Sequence, residues 1–272
     1  MKYLKKIFRV LNHYSHAFEI RSLLSCEYMR LRKLNPSYPR GLLKEIWSHP
    51  QRMEHLIQLS RFMAINEKIL LIDIGGNTGY WAQEFIYIFP KTSIVAFEPD
   101  KRAAKKYRER FNGKSDVTLH EVALSDNSGS AKLMMTTSST FSSLEQYTLE
   151  TKGKSEAVDS IEVKKIPLND VEVNTDGFDK VFVKIDVQGH EVPVVRGGGK
   201  LLERADIVLV ELSFASEYDG LPPSFMLVAS ILQRSGHYPI IFQDYGRTHS
   251  PYAWERDVIF VKEEFLEQIW GW

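Results

Sequence analysis

The chain has a single cysteine, Cys26. No intramolecular disulfide, C-x-x-C metal knuckle or dithiol redox pair can be built from one thiol, and a reducing, cytoplasmic setting fits. Long apolar runs are missing as well. Nowhere do about 18 apolar residues follow one another, which argues against a transmembrane helix. Near the start, Arg9, Asn12, His13 and Ser15 interrupt what would otherwise resemble a signal-peptide core. Neither sign of charge dominates: Lys plus Arg and Asp plus Glu each number 35, so no global field advertises nucleic acid as a partner. Repeats and low-complexity tracts are absent. What is there is an ordinary globular composition, 43% hydrophobic and 26% charged, over 272 residues. That is enough for one sizeable α/β domain plus an extension.

The charge balance is local rather than global. Residues 1–50 carry ten Lys/Arg against three acids, so the head is +7 and the remainder −7. Tyr3, Leu4, Ile7, Phe8 and Leu11, then Ile20, Leu23, Leu24, Tyr28 and Leu31, recur at helical spacing between basic residues. Asn35-Pro36 to Arg40-Gly41 breaks that pattern, and a further helix is expected over 42–64. Residues 1–64 therefore read as a helical extension and 65–272 as the main domain. The extension is expected to pack on the domain or on a second copy in a homo-oligomer; its basic face also suits peripheral membrane contact.

From Ile69 the pattern alternates. A buried strand, Ile69–Ile74, leads through Gly75-Gly76-Asn77-Thr78-Gly79 into a helix over 79–89. Strand 93–97 and helix 101–111 follow, then strand 117–122 and a turn at 123–129. Segments 131–136 and 160–166 look like short edge strands around a polar loop, 137–159, whose Ser138–Leu144 part is a candidate acceptor lid. Strand 180–186 restores the pattern, Gln188-Gly189-His190-Glu191 opens a helix ending near 197–199, and strand 207–212 and helix 224–235 follow. Strands 238–243 and 258–262 are spaced as a hairpin. The expected fold is α/β and Rossmann-like, a mostly parallel sheet with an antiparallel C-terminal hairpin.

In such sheets ligands sit outside the carboxyl ends of the strands. Those ends carry Asp73, Glu98, Ala123-Leu124, Asp186 and Glu211. The glycines are expected to let a ligand approach the backbone while the helix start offers unpaired N–H groups. Glu98, 25 residues after Asp73, can accept hydrogen bonds from both hydroxyls of a ribose. Gly75-Gly76-Asn77-Thr78-Gly79 lacks the G-x-G-x-x-G spacing of a dinucleotide site, and the carboxylate of Asp73 would repel a pyrophosphate but suits an ammonium group. S-adenosylmethionine, with an amino-acid end, a ribose and a sulfonium, gives every one of these groups a partner.

Asp73–Trp81, Phe97-Glu98-Pro99, Ala123–Asp126, Ser142-Ser143-Leu144, Val183–Glu191 (V-K-I-D-V-Q-G-H-E) and Val210-Glu211-Leu212 together resemble the FkbM family of S-adenosylmethionine-dependent methyltransferases. The likeness covers about 69–262. Gly76 stands where the family often has alanine, and Gln188 where it often has glutamate. The resemblance implies transfer of a methyl group, commonly to a hydroxyl of a sugar or natural product. It implies that Gly75, Gly76, Asn77 and Gly79 hold the methionine end and that Asp73 meets the ammonium directly or through water. Glu98, with Pro99 beside it, would take the ribose, and Ala123 and Leu124 would border the adenine. For catalysis the candidates are Asp186 or His190 as acceptor of the substrate's proton, with Glu211 near the substrate. Lys184 shares a strand face with Asp186 by period two, so an ion pair is expected. No local spacing supports a metal site, and none is expected. Tyr80, Trp81, Tyr245, Tyr252 and Trp254 are candidate stacking faces for a sugar. The alternative function is a non-catalytic nucleoside-binding or membrane-associated module on the same fold.

Overall fold

A computed structural model of the protein describes residues 29, 56, 59, 60, 62–146, 157–216, 218–242 and 255–270. Most of the helical extension expected over 1–64, together with Tyr245, Tyr252, Trp254 and all of 147–156, lies outside the described residues. The chain divides into two units, residues 1–67 with 83–91, and residues 68–82 with 92–272. In the first, Leu56, Leu59 and Met63 are buried, and Phe85 packs on Phe89 with ring centroids 4.9 Å apart.

The second unit is built on a seven-stranded sheet in the order β3-β2-β1-β7-β8-β10-β9. Its strands are β1 (Ile69–Ile74), β2 (Thr92–Phe97), β3 (Val117–His120), β7 (Lys180–Ile185), β8 (Ile207–Ser213), β9 (His237–Phe242) and β10 (Glu255–Lys262). The first five run parallel, and β10 is antiparallel to both β8 and β9. The connecting helices are α1 (Tyr80–Ile88), α2 (Lys101–Arg110), α3 (Glu191–Gly197), α4 (Gly199–Leu202) and α5 (Ser224–Arg234); α6 (Glu263–Trp270) closes the described chain. This is the Rossmann-like arrangement expected, with α6 as an addition that the sequence pattern does not announce.

The central strands are mostly apolar along their length. All six residues of β1 are buried, as are five of the six in β7. Ile72, Val183, Val208 and Val210 sit in one continuous core with Val194 and Val195 of α3 and Val228 and Leu232 of α5. Each such side chain contributes roughly 1.5–3 kcal/mol by leaving water.

Two expectations are corrected. Ala123–Ser125 is a strand, β4, rather than the start of a turn, and β3 ends at His120 rather than Val122. Nor are β5 (Gly129–Thr136) and β6 (Ala157–Pro167) edge strands of the main sheet. They form a separate three-stranded sheet in the order β4-β6-β5. Its apolar residues Ala123, Leu133, Met135 and Val163 make a small core of their own, joined by Leu144 and Ile161. The chain changes sheets across Glu121-Val122, with a bend at Val122, and no glycine or proline marks the change.

Candidate active site

The turn after β1 is shaped by its own surroundings. Gly75 has φ +73°, and a Cβ there would stand 1.8 Å from the backbone oxygen of Asp186. A Cβ on Gly76 would come within 2.8 Å of the Tyr107 ring, and one on Gly79 within 2.8 Å of Phe111. Glycine is therefore demanded by close packing within the protein, not only by a ligand. The N–H groups of Gly75 and Gly76 both donate to the Phe97 carbonyl at 2.9 and 3.1 Å, and that of Gly79 donates to Gly76 O at 2.9 Å. The Asn77 N–H donates to Glu98 Oε2 at 2.8 Å. These four are thus not the free cradle that the sequence suggests.

Asp73 is 0% exposed and lies beneath this turn, not on the cleft wall. Lys184 Nζ is 3.6 Å from its Oδ1, and the Tyr107 hydroxyl donates to its Oδ2 at 3.1 Å. Burial pushes the Asp73 carboxyl above its ordinary value, against the opposing pull of Lys184. Asp73 anchors Lys184, which also donates to Gly75 O at 3.3 Å.

Glu98 stands at the end of β2, 7% exposed, on the wall of a cleft. Its Oε1 accepts the Asp100 N–H at 2.7 Å while Oε2 holds that of Asn77, which leaves one lone pair on each oxygen for a further donor. Burial pushes its pKa up to about 7. Gly75, Asn77, Pro99, Ala123, Leu124, Asp186 and His190 also line the cleft; Gly76, Gly79 and Glu211 do not. The serine segment forms one wall. Ser139 Oγ donates to Asn77 Oδ1 at 3.0 Å, Ser142 Oγ to Asp100 Oδ2 at 3.3 Å, and Ser143 Oγ to the Gln188 carbonyl. It is bonded to all three loops around the cleft.

The loop after β7 carries the charged end. Asp186 lies just beyond the strand, its side chain 35% exposed and 3.3 Å from Lys184 Nζ, the ion pair expected from period two. Gln188 adopts φ +52° and Gly189 φ +99°, a tight turn in which a Cβ on Gly189 would meet the Tyr218 ring at 2.6 Å. That turn points the Gln188 amide at two acids. Its Nε2 is 3.0 Å from Asp186 Oδ1 and 2.5 Å from Glu211 Oε2. Burial works against ionisation of Asp186, yet Lys184 holds its carboxyl below the usual range, whereas burial and then Asp186 push Glu211 well above it. Asp257, the cross-strand partner of Glu211 on β10, is pushed by burial up to about 7.

His190 is 9% exposed, and both its ring nitrogens are engaged. Nδ1 is 2.6 Å from Glu145 Oε1 and Nε2 3.0 Å from Ser125 Oγ. Both candidate bases line the cleft, Asp186 beside Lys184 and His190 tying β4 to Glu145, the residue after the serine segment. Ser125, Glu145, Gln188 and Asp257 are participants that the sequence does not flag, although Gln188 lies within the D-V-Q-G-H-E run. Of the aromatic candidates, Trp81 stacks on Phe182 at 5.8 Å, a packing role, and Tyr80 lies under Arg110 at 3.5 Å. Among the described residues no cluster of His, Cys, Asp and Glu is arranged to hold a metal ion.

Residues 73–238 match the methyltransferase FkbM domain. The chain belongs to the FkbM methyltransferase family. The 2-O-methyltransferase NoeI of Sinorhizobium fredii (strain NBRC 101917 / NGR234) is 29% identical over 182 residues, 59% of this chain and 73% of that protein. Among solved structures, an FkbM methyltransferase from Methylobacillus flagellatus KT is similar at TM-score 0.46 and 14% identity, over 72% of this chain and 44% of that one. Fibrillarin from Aeropyrum pernix, solved with natively bound S-adenosylmethionine, is similar at TM-score 0.40 and 10% identity, over 73% and 68%.

The cofactor of this FkbM methyltransferase is S-adenosylmethionine. The cleft suits it chemically. Glu98 and Asp186 are acceptors on its wall, fitting the hydroxyls of a ribose and a cation respectively, and Phe97, Val122, Leu124, Leu133 and Leu144 offer an apolar surface for a purine. Among the described residues no helix is long and apolar enough to cross a membrane.

Proposed function

We propose that this FkbM methyltransferase transfers the methyl group to a hydroxyl of a glycan or other hydroxylated metabolite, with Asp186 taking the hydroxyl proton. S-adenosylmethionine supplies a methyl carbon already activated by its sulfonium. The protein's task is then to align an acceptor oxygen with that carbon and to give the proton somewhere to go. The observation that carries this reading is the placement of Asp186: an ionised carboxylate on the cleft wall, fixed by Lys184 at 3.3 Å and Gln188 at 3.0 Å. The relative NoeI, a 2-O-methyltransferase, supports oxygen as the acceptor atom. His190, with both nitrogens held by the protein, is assigned a positioning role.

The test is transfer of labelled methyl from S-adenosylmethionine to a panel of oligosaccharides and hydroxylated small molecules, with the linkage assigned by mass spectrometry and NMR. An ether on one of these acceptors is expected, lost in Asp186→Asn while S-adenosylhomocysteine, which carries no sulfonium charge, still binds. Label found only on nitrogen or carbon would overturn it.

A further inference from the structure

The serine segment is attached in two ways. Its ends are pinned by backbone. The N–H groups of Met134 and Ser143 donate to each other's carbonyls at 2.8 and 3.1 Å, and the Asp219 N–H donates to Gln146 O at 2.7 Å. Glu145 holds His190 at 2.6 Å, and the Arg102 guanidinium reaches the Thr136 carbonyl at 3.4 Å through both terminal nitrogens. Residues 135–142 are therefore a compact surface loop with its ends held together.

The tip of that loop is attached by side chains. Ser138, Thr140 and Phe141 are exposed, and the 3-10 turn Ser139–Phe141 buries none of its side chains. Ser139 Oγ donates to Asn77 Oδ1 at 3.0 Å, and Ser142 Oγ to Asp100 Oδ2 at 3.3 Å. Asn77 and Asp100 are also the residues whose backbone N–H groups brace Glu98, at 2.8 Å on Oε2 and 2.7 Å on Oε1. The two serines thus tie the tip to both braces of the carboxylate that suits a ribose. Asn77, Glu98, Ser139, Thr140 and Ser142 line one cleft. Glu98, Ala123 and Leu124 are all buried, so a ligand that is to reach them needs a way past the segment that walls the cleft.

We infer that residues 138–142 form a lid over the methyl donor, latched by Ser139 on Asn77 and by Ser142 on Asp100. It swings out on the ends held at Thr136 and Ser143, admitting S-adenosylmethionine and releasing the product. Such lids set rates of ligand exchange and shield the site from water. Both latches join protein to protein, so they hold the lid shut with or without ligand. Their removal speeds entry and exit together, and the two effects cancel in the dissociation constant. No acceptor takes part, so the lid stands or falls apart from the O-methylation reading.

Surface plasmon resonance on the full chain, with S-adenosylmethionine and S-adenosylhomocysteine in turn, reads both rate constants. In Ser139→Ala and Ser142→Ala, kon and koff should each rise about 2- to 10-fold per latch, the effect of one net hydrogen bond, with Kd changed by less than about twofold. Ser139→Thr and Ser142→Thr keep the hydroxyl and should return both rates to those of the natural chain. Amide hydrogen exchange over 137–142 should quicken in the alanine variants while β5 stays protected, which also shows that the fold is intact. Unchanged rates in both alanine variants would overturn the lid. So would a rise in koff alone, because that marks serines that touch the ligand instead of latching the protein.

Discussion

Lys184 Nζ lies 3.6 Å from Asp73 Oδ1 and 3.3 Å from Asp186 Oδ2, so one buried cation joins the floor of the glycine turn to the charged end of the cleft. Replacing Lys184 with Met should leave both acids without their cation. Breaking a buried pair in this way costs about 3–5 kcal/mol. Urea denaturation of K184M should show a loss of that order, and a loss below about 1 kcal/mol would mean that water already screens the pair.

Glu98 should govern both affinity and pH response. Its folded pKa, about 7, lies above the ordinary carboxylate value of 4.5. The folded state therefore binds the proton more tightly than the unfolded chain, and stability contributed by this group falls as pH rises from about 4.5 through 7. Glu98→Gln should flatten that part of the stability–pH curve while weakening S-adenosylmethionine binding. Hydrogen bonds to a charged group contribute about 1.5–3 kcal/mol, so the dissociation constant should rise by roughly 10- to 100-fold. An unchanged calorimetric affinity would remove Glu98 from the ribose site.

Gly75→Ala places a methyl group where the Asp186 carbonyl stands, at a residue with φ +73°. Left-handed strain costs about 1–3 kcal/mol and overpacking a similar amount. Thermal unfolding should show a loss of at least about 2 kcal/mol. Gly113→Ala, also at positive φ but with nothing within 4 Å, is the control that isolates the backbone contribution.

Glu145 and His190 should behave as a unit, given Nδ1 to Oε1 at 2.6 Å. A double-mutant cycle with Glu145→Gln and His190→Ala, read by denaturation, should give a coupling of about 0.5–3 kcal/mol. A coupling within error of zero would show the contact to be energetically idle.

Much of the site was legible in order along the chain. The apolar run Ile69–Ile74, the strand-end acids and the D-V-Q-G-H-E segment carry local signals, because strand burial and turn geometry depend on neighbours a few residues away. Strand-end position alone also put Glu98 and Asp186 on the cleft wall. Asp73 occupies an equivalent position, yet its carboxylate turns inward to Lys184 and Tyr107, 111 and 34 residues on.

Composition and hydrophobic period by themselves determined an α/β chain with a mostly parallel sheet and acids at its carboxyl edge, since burial on both faces demands continuous apolar strands. Only the tertiary structure decided that β4, β5 and β6 leave the main sheet, that His190 is bound at both nitrogens, and that Gln188 joins Asp186 to Glu211. Those outcomes rest on contacts between residues 2 to 65 positions apart, where side-chain reach, not local pattern, chooses the partners.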